Sequence, residues 1–392
     1  MIRATSAQAA HFILHKNHLA SQKAAGIRQL VAALAGLPAA PLTTAVLAAR
    51  ARLDNFTPTQ LLDELDQRRT LIRSLLMRNS SYIVEADQFP IFYAATVRQR
   101  NQAFNAEFRL WGLETNDELE AVGQAILAEL PDQPLSAEAV AGRLSPELVR
   151  ELSQTSRGGR VTKTTTVDLA LRWLAARGLL YAANDSPDWL AKRLKYVPFN
   201  RRYPKLDLAA APGEAAAQQS LVRRYLAAFG PVTEADISFW TGLGKSETAR
   251  AIGELSKETT LTMVEGIPGM LLMLKAQAEA LSATEPLTEA VVNILPADDP
   301  FTTAYRASRS RYFSNPSWQR HVFNSAGAAR PAILVNGQIV GIWDWPPEAG
   351  PGQLNWRLLG QVKAGVEARI QAELEQVAAF INPQLVVVKM PD

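Results

Sequence analysis

Several groups of side chains in this 392-residue chain have types and spacings that could do chemistry. His11, His15 and His18 fall at i, i+4 and i+7, so one continuous helix would set all three rings on a single face, a spacing that can bind zinc or copper. The segment has no nearby carboxylate to orient the rings, so they read as ordinary polar helix positions, and no metal or other cofactor is expected. Asp54, Asp63 and Glu64 are candidate general bases, although each is also placed where a solvated or capping carboxylate would be. The run Arg157-Gly158-Gly159-Arg160-Val161-Thr162-Lys163-Thr164-Thr165-Thr166 combines glycines that let backbone approach a phosphate with cations and hydroxyl donors. It lacks the Gly-Lys-Ser/Thr step of a nucleotide-binding loop, which leaves a nucleic-acid backbone contact or a solvated loop. Arg193, Lys195, Arg201, Arg202 and Lys205, interleaved with Tyr196, Phe199 and Tyr203, would extend the same surface; alternatively the aromatics pack inward and the charges stay in solvent. Trp240, Trp343, Trp345 and Trp356 read as core or interface aromatics.

Composition narrows the field. With 47% apolar residues the chain can build two to four compact modules. The absence of cysteine excludes disulfides, thiolate catalysis and cysteine-bound metal. No run approaches the length of a membrane-spanning helix, and residues 1–10 lack a signal-peptide profile, so a reducing cytoplasm is the expected location and no membrane partner is expected. The net charge of +3 is unevenly spread: residues 156–205 hold 11 Lys/Arg against 3 acids, residues 1–112 hold 13 against 7, and residues 216–290 hold 6 against 9. A basic excess of that density is offset most simply by a polyanion.

The elements that would position these groups come in a repeating order. Ile27, Leu30, Val31, Leu34 and Leu37 share one face of a helix predicted over 24–37, ended by Pro38 and Pro41, which start a second helix over 42–53. Thr57-Pro58 opens a third over 59–67. Two β-rich runs, 70–77 and 81–85, then flank the turn Arg78-Asn79-Ser80. Three helices followed by a hairpin is the order of a winged helix. A similar order recurs over 118–183 and, more clearly, over 216–275, where a helix stops at Gly230-Pro231, Thr233–Asp236 caps the next, and Gly266-Ile267-Pro268-Gly269 turns a hairpin. After residue 289 short strands dominate, with Asn336-Gly337 as a two-residue hairpin turn, and a helix and a last strand follow. The expected fold class is therefore α+β: three tandem winged-helix units, 1–112, 113–215 and 216–288, followed by a mixed α/β C-terminal region, 289–392.

Three motifs carry a resemblance. Leu221 to Thr233 with Phe239-Trp240-Thr241-Gly242-Leu243, the segment Ile294-Leu295-Pro296-Ala297-Asp298-Asp299-Pro300-Phe301 with Tyr305-Arg306, and the closing hairpin Ala332 to Trp343 are similar, in order, to the winged-helix DNA glycosylases of the AlkZ and YcaQ type. The resemblance implies a DNA-repair fold that excises bases alkylated at guanine N7 from double-stranded DNA. In that family a Gln-x-Gln or Gln-x-Asp triplet after a Gly-Leu pair holds the attacking water. Here Gly36-Leu37 is followed by Pro38 and Ala40, neither of which can accept a proton or orient a water. The family's Arg-Gly-Thr-x-His-Leu on the first wing reads Arg78-Asn79-Ser80-Ser81-Tyr82-Ile83, with tyrosine in place of histidine. The expectation is a monomeric double-stranded DNA-binding protein whose excision step is lost or altered. Its expected DNA contacts are Arg69, Arg73, Arg78, Asn79, Ser81, Tyr82, Arg157, Arg160, Lys163, Arg201 and Arg202. The alternatives are an active glycosylase that uses a different acid and a winged-helix module for protein contacts or regulation.

Overall fold

The structure is a computed structural model that describes residues 2–113, 117–155, 159, 161–184, 186–345, 352–363 and 365–391. By internal packing the chain forms two compact units. Unit 1 comprises 1–38, 44–57 and 222–392, and unit 2 comprises 39–43 and 58–221. The fold is α+β.

Unit 1 contains two sheets. In the smaller, Ile2–Ala4 runs parallel to Thr259–Val264, which pairs antiparallel with Leu271–Leu274. The larger has five strands in the order Val292–Leu295, Ala332–Val335, Gln338–Asp344, Gln353–Leu358 and Val386–Lys389, the last parallel to its neighbour and the rest antiparallel. Asn336 and Gly337 take φ of 50° and 80°, the left-handed pair that a tight hairpin turn between right-twisted strands requires. Helix Val366–Ile381 buries Ile370, Leu374 and Val377, spaced at four and three residues, as an amphipathic helix does against a sheet. Helix Glu234–Thr241 begins with a capping box between Thr233 and Asp236 and ends at Gly242, whose φ of 77° stops it. Trp240, Trp343 and Trp356 are buried, and the Trp343 indole N–H donates to the Leu295 carbonyl at 2.8 Å.

Unit 2 holds the antiparallel hairpin Leu71–Leu75 with Ser81–Glu85, the 22-residue helix Phe89–Leu110, and a core in which Phe104, Phe108, Leu119, Val122, Ile126, Ala170, Trp173 and Leu174 pack together. Helices Asp117–Glu129 and Thr166–Ala176 supply most of that core. A separate two-stranded hairpin joins Glu151–Thr155 to Val161–Thr165. Strands Leu180–Asn184 and Leu194–Pro198 pair antiparallel, with Leu135–Ser136 on the outer edge of the second.

Several local expectations shift. The helix predicted over 24–37 is confined to Ile27–Ala33, because Ala35 and Gly36 take left-handed φ of 52° and 105°. The helix predicted over 59–67 is α-helical only over Pro58–Leu62 and widens to a π-turn over Asp63–Gln67. The histidines do not line one helix: Ser6–Lys16 ends before His18, which has a φ of 55°. His11 meets the Glu285 carbonyl at 2.6 Å and His15 the Gln22 amide at 3.1 Å. No group of metal-ligating side chains forms among the described residues.

Candidate nucleic-acid interface

Two of the substituted positions, Ala40 and Tyr82, lie close together in unit 2. The Ala39 N–H donates to the Ser81 carbonyl at 2.8 Å, which fastens Ala40 beside the start of the strand that carries Tyr82. Ala40 is exposed and offers a methyl group, whereas the Tyr82 side chain is buried, with 5% exposure. Pro38 is buried. The two substituted positions of unit 2 therefore present a methyl and an inward-packed ring where the resemblance places water-holding and polar groups.

The acids expected as substitutes are differently engaged. The buried Glu64 carboxylate accepts from the Thr70 hydroxyl and from Arg68 at 3.1 Å, which makes it the clasp of the π-turn. Asp63 is partly buried in the same turn, and its carbonyl accepts from the Arg68 N–H. Asp54 belongs to unit 1 and is exposed.

Sequence reasoning did not single out Asp66, yet three of the expected DNA contacts converge on it. Arg202 donates to the Asp66 carboxylate at 3.1 Å and to the Leu65 and Asp66 carbonyls at 3.1 and 2.9 Å. Arg73 donates to the Asn184 amide oxygen at 3.1 Å, and Arg69 reaches the Arg202 carbonyl at 3.4 Å. Burial pushes the Asp66 carboxyl above its ordinary range, against the opposing pull of Arg202, the Asn184 hydrogen bond, Arg73 and Arg69. The guanidinium of Arg202 also lies over the Tyr181 ring at 5.4 Å, and Tyr181 meets Tyr203 edge-on. No motif would have marked Asp66; its environment is made by Asn184 and Arg202, more than a hundred residues away.

The expected contacts also differ in backbone and in partners. Arg69, Arg78 and Asn79 adopt left-handed φ of 56°, 56° and 53°, conformations that a non-glycine residue keeps only where its surroundings enforce them. Arg78 is exposed, while Ser81 is partly buried at the foot of the same hairpin. Lys163 is exposed on the separate hairpin and pairs with Glu151 at 2.8 Å; Arg201 pairs with Asp132 at 3.1 Å. Such solvated pairs are worth about 0–1 kcal/mol and exchange readily for a phosphate. Arg157 and Arg160 lie outside the described residues. The basic segment 193–205 is built into unit 2, where Leu194–Pro198 is a strand, Phe199–Arg202 a short helix, and Tyr196, Phe199 and Tyr203 pack inward rather than standing open for base stacking.

The motifs of the C-terminal half hold unit 1 together. Asp299 forms a two-point ion pair with Arg52, at 2.6 and 2.8 Å, with both side chains fully buried, and caps Pro300–Thr303 by accepting from the Phe301 N–H. The Tyr305 hydroxyl donates to the Phe229 carbonyl at 2.8 Å. One Asp236 oxygen accepts from the Arg306, Ala307 and Ser308 N–H groups and the other from the Ser308 and Thr233 hydroxyls. Burial would raise the Asp236 carboxyl, but the Ser308, Arg306 and Thr233 hydrogen bonds and the Arg311 charge outweigh it and hold it below the usual carboxylate range.

No helix among the described residues is long and apolar enough to cross a membrane. Residues 31–380 match the family model described as DNA glycosylase AlkZ-like. An interstrand DNA cross-link repair glycosylase of Streptomyces sahachiroi is 27% identical over 177 residues, which is 44% of this chain and 45% of that protein, so the match spans under half of the relative's length. The solved structure of the Streptomyces sahachiroi DNA glycosylase AlkZ superposes with a TM-score of 0.72, covering 99% of this chain and 100% of that one at 18% identity, a likeness of fold. With the family model covering residues 31–380, the chain belongs to the AlkZ-like DNA glycosylase family.

Proposed function

We propose that the chain binds double-stranded DNA, as a monomer, with little sequence preference, and that the base-excision step associated with its family is lost or altered. The observation that carries this reading is the pairing of an exposed Ala40 methyl with a buried Tyr82 ring at the positions where the family places polar groups. The Ala40 methyl cannot take a proton from water or hold it against a sugar carbon, and Tyr82 is packed inward where the family has a histidine. DNA as partner is supported by family membership and by the basic excess of residues 156–205. Exposed, weakly paired Lys163 and Arg201, together with Arg78, would meet phosphates; Arg69 and Arg73, held around Asp66 with Arg202, would be fixed in position by that cluster. Asn79, Ser81 and Tyr82 would shape the first wing, and Arg157 and Arg160 are read from the sequence as further phosphate contacts. Four modules, 1–112, 113–215, 216–288 and 289–392, the first three winged helices, remain our reading of the architecture.

The test combines a gel-shift titration at two salt concentrations with a single-turnover base-release assay on duplex carrying N7-methylguanine. Salt-sensitive binding without base release supports the proposal. Absence of binding to any duplex at low salt refutes the DNA-binding part, and robust base release refutes the catalytic part and points to another acid, Asp54, Asp63, Glu64 or the burial-shifted Asp66.

A protein-contact role is favoured by one feature of the third segment. Residues 216–290 carry 6 Lys/Arg against 9 acids, and the hairpin there turns Leu261, Met263 and Met270 outward with 48%, 40% and 38% exposure. An acidic stretch with an apolar outer face suits a protein better than a phosphate backbone.

A further inference from the structure

Unit 1 contains a half-enclosed cavity of about 560 Å³, a size that suits a small organic molecule. Ala10, Ile13, Ile267 and Leu287 contribute aliphatic wall, and Phe301, Tyr312 and Phe313 contribute aromatic wall. Among the polar groups that line it, Arg311 is distinctive. Its Nε donates to the Ser308 carbonyl at 3.2 Å and its Nη2 to the Pro231 carbonyl at 3.0 Å and the Ser308 hydroxyl at 3.1 Å, while the guanidinium lies 3.7 Å over the Tyr305 ring. All these partners are neutral. Among the described residues no carboxylate hydrogen-bonds Arg311; Asp236 is bridged to it through the Ser308 hydroxyl and already accepts from backbone N–H groups and hydroxyls.

A second cation stands close by with the same deficit. Lys16 donates to the Gly230 carbonyl and to the Gln277 amide, both at 2.9 Å, so Lys16 and Arg311 hold consecutive carbonyls with no carboxylate on either among the described residues. Burial, with the Arg311 charge added, lowers the Lys16 ammonium to about 7. The cavity also borders the first turns of helix Ser6–Lys16, whose N-terminal turn carries no acidic side chain to oppose its positive dipole end. Glu265, on the hairpin side, is the acid among the lining residues. Lys16 can shed its proton, but the guanidinium of Arg311 stays charged, and a partly buried charge without an ionic partner is costly unless an anion compensates it.

We propose that this cavity is a binding site for a small aromatic anion, a planar ring system bearing a carboxylate or sulfonate. The rings would lie against Phe301, Tyr312 and Phe313 and the anionic group would face Arg311. This site is separate in its residues from the Ala40 and Tyr82 positions, and the proposal does not depend on the excision reading.

The probe is anilinonaphthalene sulfonate, followed by fluorescence and isothermal calorimetry on the full chain, with uncharged phenylnaphthylamine as the ring system lacking the sulfonate. The expected result is saturable binding of one sulfonate per chain and roughly tenfold or greater weakening for the uncharged probe. Ala7 and Ser314 line the rim and are exposed, so Ala7→Trp and Ser314→Trp block the entrance without disturbing the core. In either variant, with the melting temperature unchanged, sulfonate binding should fall by roughly tenfold or more. Equal binding of both probes overturns the anion assignment. Sulfonate binding that is absent from the unmodified protein, or unaffected by both rim variants, overturns the site.

Discussion

Arg52→Met tests whether the family motif around Asp299 is structural. In the native protein the Arg52 guanidinium donates twice to Asp299, once to the Asn17 carbonyl and once to the Ala48 carbonyl, and neither side chain of the ion pair is exposed. Methionine keeps much of the volume but leaves the Asp299 carboxylate in a dry interior with the capping hydrogen bond from the Phe301 N–H as its remaining partner among the described residues. Removing one partner of such a pair costs about 3–5 kcal/mol. For a unit of this size each kcal/mol lowers the melting temperature by about 2–4 °C, so the expected drop is roughly 6–20 °C. Circular dichroism melts and urea titrations of the single variants Arg52→Met and Asp299→Asn and of the double variant give the coupling directly. The double variant should be less destabilised than the two singles added together, because it removes both charges. Below its melting temperature Arg52→Met should bind duplex DNA as the native protein does. A single variant within about 1 kcal/mol of native, or additive singles, would refute the buried-pair account.

Restoring glutamine at Pro38 and Ala40, with Tyr82→His, is expected to raise base release from N7-methylguanine duplex by up to about 10²–10⁴-fold, the range of an oriented general base; an unchanged single-turnover rate would show that more than these side chains has been lost. Lys163→Glu should weaken binding on all duplex sequences alike and reduce the slope of log affinity against log salt by about 1, and a sequence-selective loss would contradict a phosphate contact. The depressed Asp236 carboxyl contributes stability that is present above its unfolded value near 3.9 and lost as pH falls through its lower folded value. Asp236→Asn should therefore destabilise unit 1 at pH 7 and differ less from native as the medium is made acid enough to protonate Asp236; an equal gap at both would place the loss in hydrogen bonding alone.

Where local chemistry dictated structure, the sequence could be read closely. Asn336-Gly337 implied the hairpin of Ala332–Val335 with Gln338–Asp344, and Thr233 with Asp236 implied a helix start, because turn and cap are decided within four residues. Helix Phe89–Leu110 was hidden by its own buried face. Phe89, Phe92, Phe104 and Phe108 keep helical spacing, but buried Thr96 and Arg100 interrupt the apolar stripe. Arg100 is accommodated by donating to the Ala176 carbonyl and lying over the Tyr93 ring, partners invisible to a periodicity argument. The cluster around Asp66 was illegible for the same reason. The substituted positions Pro38, Ala40 and Tyr82 were readable only through the resemblance, since nothing in an alanine or a proline announces the group it replaces.

The parallel strand Ile2–Ala4 has a consequence for how the protein is made. Its partner is the stretch Thr262 to Val264, so this sheet closes across some 260 residues of chain. A ribosome delivers residues 58–221 of unit 2 well before that partner exists. Unit 2 can acquire its core while synthesis continues, whereas Ile2–Ala4 must wait, unpaired, with helix Ser6–Lys16 and its apolar residues Phe12, Ile13 and Leu14 still uncovered. The interval between those two events is when a nascent chain of this protein is most exposed to aggregation and has most to gain from a chaperone that recognises short apolar helices. Slowing translation after residue 221 would lengthen that interval, and supplying residues 222–392 as a separate fragment would shorten it.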